Sequence, residues 1–320
     1  MASAPVVSSA TVTSTASAVE NNVAAAKPRR ERKPRGADEP PRSVAPSALA
    51  RTFGIIALIV AMLYFLVPVF WLLVASTKDN ADLVSSFGFW FADWNLDTNY
   101  DSLMGWTQGL FWRWVGNSIL YSVSAGVIGT LFAVMAGYAI AKFSFPGKKI
   151  AVGVIMAGLL LPVALLTVPL YIEFSALGLT NTIWSIIIPS AVSPFGVFLG
   201  MVFAQSSVPT ELLEAARIDG ASEARIFFTI VLRLLSPAMV TIFLFIFVAT
   251  WNNFLLPLMM VSSPELKPVT LGLYGMMSYF SPDKGAVMLG ALLGVIPLVI
   301  LFFTLQRYWR SGLSAGAVKG

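Results

Sequence analysis

The chain has 320 residues, of which 57% are hydrophobic and only 12% charged, with a net charge of +5 and a mean hydropathy of +0.79. Soluble domains carry about 25% charged residues, so this composition points to a bilayer. The lack of cysteine excludes disulfides, thiolate ligands and a cysteine nucleophile, and the lack of histidine excludes an imidazole base and the usual zinc site.

Residues 1–50 are rich in Ala, Ser, Thr, Val and Pro and turn basic at KPRRERKPRG (27–36). They show neither helical nor strand periodicity and read as a disordered basic cytosolic tail. A nucleic-acid arm is the other reading of such a run, and the tail is preferred, with no nucleic acid as partner. The segment lacks the pattern of a signal peptide, because the apolar run after Arg51 has the length of a full span.

A hydrocarbon core of about 30 Å needs ~20 apolar residues in helix. Six segments reach that length, near 53–76, 117–141, 150–173, 183–204, 237–261 and 286–305. Strands of alternating polarity are absent, and lipid leaves helices as the way to satisfy the backbone. The expected fold is an all-α polytopic membrane protein with six transmembrane helices, spanning residues 51–320. With the N-terminus inside, the internal segments carry 17 of the 21 cations and the external ones 4; without the tail the ratio is still 9 to 4. The positive-inside rule then puts both termini in the cytosol.

The external segment 77–116 is acidic and holds five of the nine tryptophans: Trp90, Trp94, Trp106, Trp112 and Trp114. Such rings suit the headgroup layer or a docking surface for an extracytoplasmic partner. Small residues recur every fourth position at Ala125, Gly129, Ala133 and Gly137, and again at Ala286, Gly290 and Gly294. These stripes let helix backbones approach closely, within the subunit or against a second one. Prolines inside the spans (Pro68, Pro162, Pro169, Pro189, Pro194, Pro297) predict kinks or broken segments.

No Lys, Arg, Asp or Glu falls in the middle of a span; Glu173 sits at the outer end of the third. An ion relay of the kind proton-driven carriers use is therefore missing. There is no G-x-x-x-x-G-K-[ST] phosphate loop and no G-x-S-x-G elbow. A polytopic chain with neither catalyst nor relay is a passive pore or a transporter driven by another chain.

Between the fourth and fifth spans lies ELLEAARIDGASEAR (211–225). Pro209 suits a first helical turn, Glu211 and Glu214 complement the positive end of that helix, and Arg217 its negative end. Leu212, Ala215 and Ala216 are spaced to share one low face. Asp219-Gly220 reads as a stop, with Gly220 able to take the left-handed conformation. A second helix is expected from near Ser222 towards Pro237. Two short helices at an angle predict a cytosolic lobe that inserts into a protein groove, in preference to one lying on an anionic leaflet.

Glu214-Ala215-Ala216, Gly220, Ile230 and Leu232 resemble the EAA loop of ABC importer permeases, with pattern E-A-A, three residues, G, nine residues, I-x-L-P. Arg233 stands where that family has proline, which leaves the position of the bend after Leu232 open. LPVALLTVPLYIEFSALGLTNTIWSIIIP (161–189), TWNNFLLPL (250–258) and QRYWRSGLSAGAVKG (306–320) are similar to carbohydrate-importing permeases of the maltose type.

The resemblance implies a type I importer fold with a coupling loop at 209–236. It implies a permease subunit in a bacterial plasma membrane for an oligo- or disaccharide such as maltose, maltodextrin or trehalose. Its partners would be a cytosolic ATPase dimer, a second related permease, an extracytoplasmic sugar-binding protein and membrane lipid. The chain itself would hold no cofactor, since ATP and Mg belong to the ATPase. The same resemblance assigns ATPase coupling to Glu211, Glu214, Ala215, Ala216, Asp219 and Gly220. For the pathway, Trp251, Asn252 and Asn253 offer an aromatic face and amides suited to a sugar; packing between helices is the competing role. The rival functions are a permease for another solute, a channel, a secondary transporter or a membrane-bound enzyme.

Overall fold

A computed structural model describes residues 47–277 and 283–316 of the chain. The basic run at 27–36, nearly all of the expected tail, and Lys319 lie outside the described residues. The chain divides within its first helix into Met1–Ala61 and Met62–Gly320, and the second unit holds every later element.

In order, the helices are α1 (Ala48–Ala75), α2 (Asp82–Ser85), α3 (Leu96–Trp106), α4 (Phe111–Lys142), α5 (Lys148–Leu160), α6 (Val163–Ala176), α7 (Trp184–Ala191) and α8 (Pro194–Ser207). Then follow α9 (Thr210–Ile218), α10 (Glu223–Ile226), a π-helical turn (Phe227–Val231), α11 (Leu232–Leu234), α12 (Ser236–Trp251), α13 (Leu255–Met260), a 3₁₀ turn (Pro264–Leu266), α14 (Val269–Met276) and α15 (Lys284–Gly316). There is no strand among the described residues.

Four stretches are long and apolar enough to cross a bilayer: Leu49–Ala75, Phe111–Lys142, Trp184–Ser207 and Lys284–Gln306. The total reaches six when each of two bent pairs is taken as one span. The expected third span is one of them, because α5 and α6 meet at 106°. Leu161 is extended (φ −76°, ψ 123°) and Pro162 follows it, as the ring's clash with a preceding helical residue requires. The other pair is α10–α11 with α12, bent by 80°. The expected fifth span, 237–261, is likewise interrupted, since α12 stops at Trp251 and α13 resumes at Leu255. Pro68, Pro169, Pro189 and Pro297 stay inside helices. Pro194 opens α8, behind Ser193, whose hydroxyl accepts from Gly196 N at 3.0 Å.

The axis of the bundle is α4, which packs most extensively on α8 and α12. The small-residue stripe explains the first contact. A methyl group at Gly200 would lie 2.9 Å from the Ala133 carbonyl, and one at Gly137 would lie 2.9 Å from the Gly200 Cα; Gly129 likewise faces the Ala191 carbonyl of α7. In lipid, this close backbone approach is the main source of helix cohesion. The second stripe also packs internally, with Ala286 buried and Gly290 facing Leu273 and Leu103.

Candidate coupling surface

Helix α9 ends as its sequence dictates. Gly220 has φ +80°, its N–H bonds to Arg217 O at 3.0 Å, and Ala221 N bonds to Ala216 O at 3.0 Å. These two bonds are the Schellman pair that satisfies the last carbonyls of a helix. Ser222 then caps α10, its hydroxyl accepting from Arg225 N at 3.4 Å. Pro209 lies one residue before the first turn, as the N-cap (φ −64°, ψ 135°).

The expected low face is divided. Leu213 and Ala216 point inward, into a cluster with Tyr138, Ile226, Phe227 and Val231. Ala215 and Leu212 point outward instead, with Glu211, Glu214 and Asp219. The 100° step between successive residues is enough to turn Ala216 inward and leave adjacent Ala215 exposed. The outward face also carries Ile218 at 86% exposure, and Phe228 is 58% exposed beyond the turn. Apolar side chains this open, set among four exposed acids, mark an interaction surface better than a lipid-facing one.

Sequence reading missed the means by which this lobe is held. Arg217 Nε donates to Glu223 Oε1 at 2.6 Å and its Nη2 donates to Oε2 at 3.4 Å, so the ion pair bridges the Gly220 turn. The hydrogen bond to Glu223 raises the Arg217 pKa above its ordinary value. The same guanidinium lies 5.8 Å from the centroid of the Phe143 ring. Phe143 meets Tyr138 edge-on at 5.5 Å, and Tyr138 packs against Phe227 at 5.7 Å. A chain of rings therefore joins the lobe to the C-terminal end of α4. A spacing of six residues across a glycine turn is no recognised pairing distance within a helix, which is why the ion pair went unseen. The π-helical turn at Phe227–Val231 carried no sequence signal either. The bend left open by Arg233 falls later, at Leu235 (φ −89°, ψ 4°), just before Pro237 in the first turn of α12.

Trp251, Asn252 and Asn253 do not form one site. Trp251 is buried and stacked on Phe247 at 5.7 Å. Asn253 Oδ1 accepts from Leu256 N at 3.3 Å and so caps α13. Asn252 is exposed and its amide donates to Val248 O at 2.9 Å.

The fold is that of an ABC importer permease. A crystal structure of a bacterial ABC transporter involved in the import of the acidic polysaccharide alginate matches 83% of this chain and 99% of that chain, with TM-score 0.71 and 22% identity. Residues 129–314 match the family described as binding-protein-dependent transport system inner membrane component, and the chain belongs to that family. The arabinooligosaccharides transport system permease protein AraQ of Halalkalibacterium halodurans is 36% identical over 66% of this chain and 76% of its own length. AraQ of Bacillus subtilis is 30% identical over 81% and 92%, and the diacetylchitobiose uptake system permease protein NgcG of Streptomyces coelicolor is 32% identical over 79% and 84%. The chain is thus a multi-pass membrane permease that works with a substrate-binding protein, and ATP hydrolysis belongs to a separate ATPase.

Proposed function

We propose that this permease imports an oligosaccharide and that α9 is where ATP-driven motion enters it. The observation that carries the reading is the outward face of α9, with Leu212, Glu214, Ala215 and Ile218 presented on a lobe clamped across Gly220. Ala215 allows close seating in a groove of the ATPase, Glu211, Glu214 and Asp219 supply polar anchors, and Ala216 fixes the helix to its own body. The solute class rests on relatives named for arabinooligosaccharides, diacetylchitobiose and melibiose/raffinose/stachyose.

The complete importer would hold an ATPase dimer with its ATP and Mg, this chain, a second related permease and an extracytoplasmic sugar-binding protein. The cation distribution supports an orientation with both termini in the cytosol, and the bacterial relatives support a bacterial plasma membrane; on this reading 51–320 is the transport domain and 1–50 a tail. Non-helical backbone at membrane depth is tolerated where protein covers it or water reaches it. The break at 252–254 supports a pathway role for exposed Asn252, with Trp251 and Asn253 holding its shape.

Replacing Gly220 by Val tests the assignment. No atom lies within 4 Å of the added Cβ, so the effect is conformational, about 1–3 kcal/mol of strain in the left-handed region. With the whole importer reconstituted in liposomes, ATP-driven oligosaccharide uptake is lost while subunit assembly stays normal. Undiminished uptake by assembled Gly220→Val importer would refute the assignment.

A further inference from the structure

The segment between α2 and α3 is the most aromatic on the molecule. In FGFWFADW (87–94), five of eight side chains are aromatic: Phe87, Phe89, Trp90, Phe91 and Trp94. All five are exposed, Trp90 and Trp94 each by 65%. Five open rings in succession would be a liability on a water-facing loop.

Both ends of this segment are tied to the residues that follow α1. Lys78 is 1% exposed, and its Nζ donates to Ser86 Oγ and Phe87 O, each at 2.8 Å. Asn95 N donates to Thr77 O at 2.9 Å. Asn99 holds that anchor in turn, its amide donating to Ser76 O and Lys78 O at 2.9 Å each. The loop also reaches back along the helix, since a methyl group at Gly88 would sit 3.7 Å from Nε1 of Trp71. Trp71 lies inside the apolar stretch Leu49–Ala75, in its last turn and a quarter, and is itself exposed. The aromatic segment thus lies alongside the end of a membrane-crossing helix and continues its apolar surface. A water-soluble partner cannot follow the surface to Trp71, whereas the headgroup and upper acyl region of a bilayer can cover both the loop and that ring.

We infer that residues 87–94 form an interfacial wedge, inserted into the leaflet at the C-terminal end of α1 and held at a fixed depth by buried Lys78. Aromatic rings favour this layer because it accepts both their apolar faces and the indole N–H. A buried ammonium with two hydrogen bonds is an expensive pin for a loop that merely floats; it is suited to one that must keep its depth while the spans rearrange. The inference rests on membership of the membrane-permease family and is independent of which solute is carried.

The test uses the whole importer in nanodiscs, as wild type and as the Trp90→Phe/Trp94→Phe double variant, which preserves apolar character. The difference between their emission spectra reports these two indoles. Phospholipid brominated near the carbonyl end of the acyl chain quenches that difference signal, and more strongly than lipid brominated near the methyl end. A difference signal that brominated lipid leaves unchanged overturns the proposal, whether aqueous iodide reaches the indoles or a second permease or the binding protein covers them.

Discussion

At the N-terminal end of α4, four side chains at helical spacing grip one connecting segment. Trp114 Nε1 donates to Pro264 O at 2.7 Å, Asn117 Nδ2 to Glu265 O at 2.7 Å and Lys267 O at 3.0 Å, and Tyr121 OH to Leu266 O at 2.8 Å. Ser118 completes the row by accepting from Val269 N at 2.8 Å. At the C-terminal end of the same helix, Tyr138 and Phe143 meet the α9–α11 lobe through rings and a single guanidinium. The first end is bolted by directional bonds that fix register and distance. The second is joined by ring and apolar surfaces that fix no hydrogen-bond register. Under the proposed coupling role of α9, such a division suits a helix that receives movement at one end and keeps its architecture at the other.

The largest effect is expected at a more buried set of directional bonds of the same kind, where Asn99 of α3 fastens the residues after α1. Asn99→Leu strands the carbonyls of Ser76 and Lys78 and should destabilise the importer by about 2–4 kcal/mol, counting 1–2 for each orphaned acceptor. The readout is the thermal midpoint of the purified complex, and an unchanged midpoint would mean that the end of α1 is not fastened there. Asn117→Ala should act in the same sense but less, about 1–2 kcal/mol, because water can replace one of its two partly exposed bonds. A midpoint loss as large as that of Asn99→Leu would contradict this ranking.

The same contrast explains what could be read in the sequence. Gly220 and Ser222 announced the turn and cap because their chemistry is local, acting on backbone one to three residues away. The apolar runs announced the spans because bilayer thickness sets a length that composition alone can display. The grip of α4 on 264–269 was hidden for a different reason. Trp114, Asn117, Ser118 and Tyr121 stand at visible helical spacing, but most of their partners are backbone carbonyls, and every residue has one. Prolines were ambiguous for a related reason: Pro162 sits at a 106° break while Pro169 lies inside a helix seven residues on. The flanking contacts decide which occurs. The divided alanine face failed on a single helical step, since spacing cannot tell which side of α9 meets the body when each side carries an alanine and a leucine.

The smallest effect on stability, and the most informative about coupling, belongs to Arg217. Its ion pair with Glu223 is exposed, with side-chain accessibilities of 38% and 48%, so removing it by Arg217→Gln should change the thermal midpoint by less than about 1 kcal/mol equivalent. The raised pKa places the loss of this contribution above the ordinary range of an arginine, so at working pH the charge is constant and uptake should not titrate with this group. Salt is the better probe, because exposed charges are screened within about 10 Å at 0.1 M. If the lobe works as a rigid lever, solute moved per ATP should fall in Arg217→Gln although binding-protein-stimulated hydrolysis persists. Arg217→Lys keeps the charge but loses the fork that holds both Glu223 oxygens, and should fall between the two. The charge-swapped pair Arg217→Glu with Glu223→Arg restores the bridge across Gly220 but removes the guanidinium from Phe143. Recovery of the wild-type ratio in the swap would show that the bridge alone stiffens the lobe; a ratio still at the Arg217→Gln level would assign the stiffness to the contact with the end of α4.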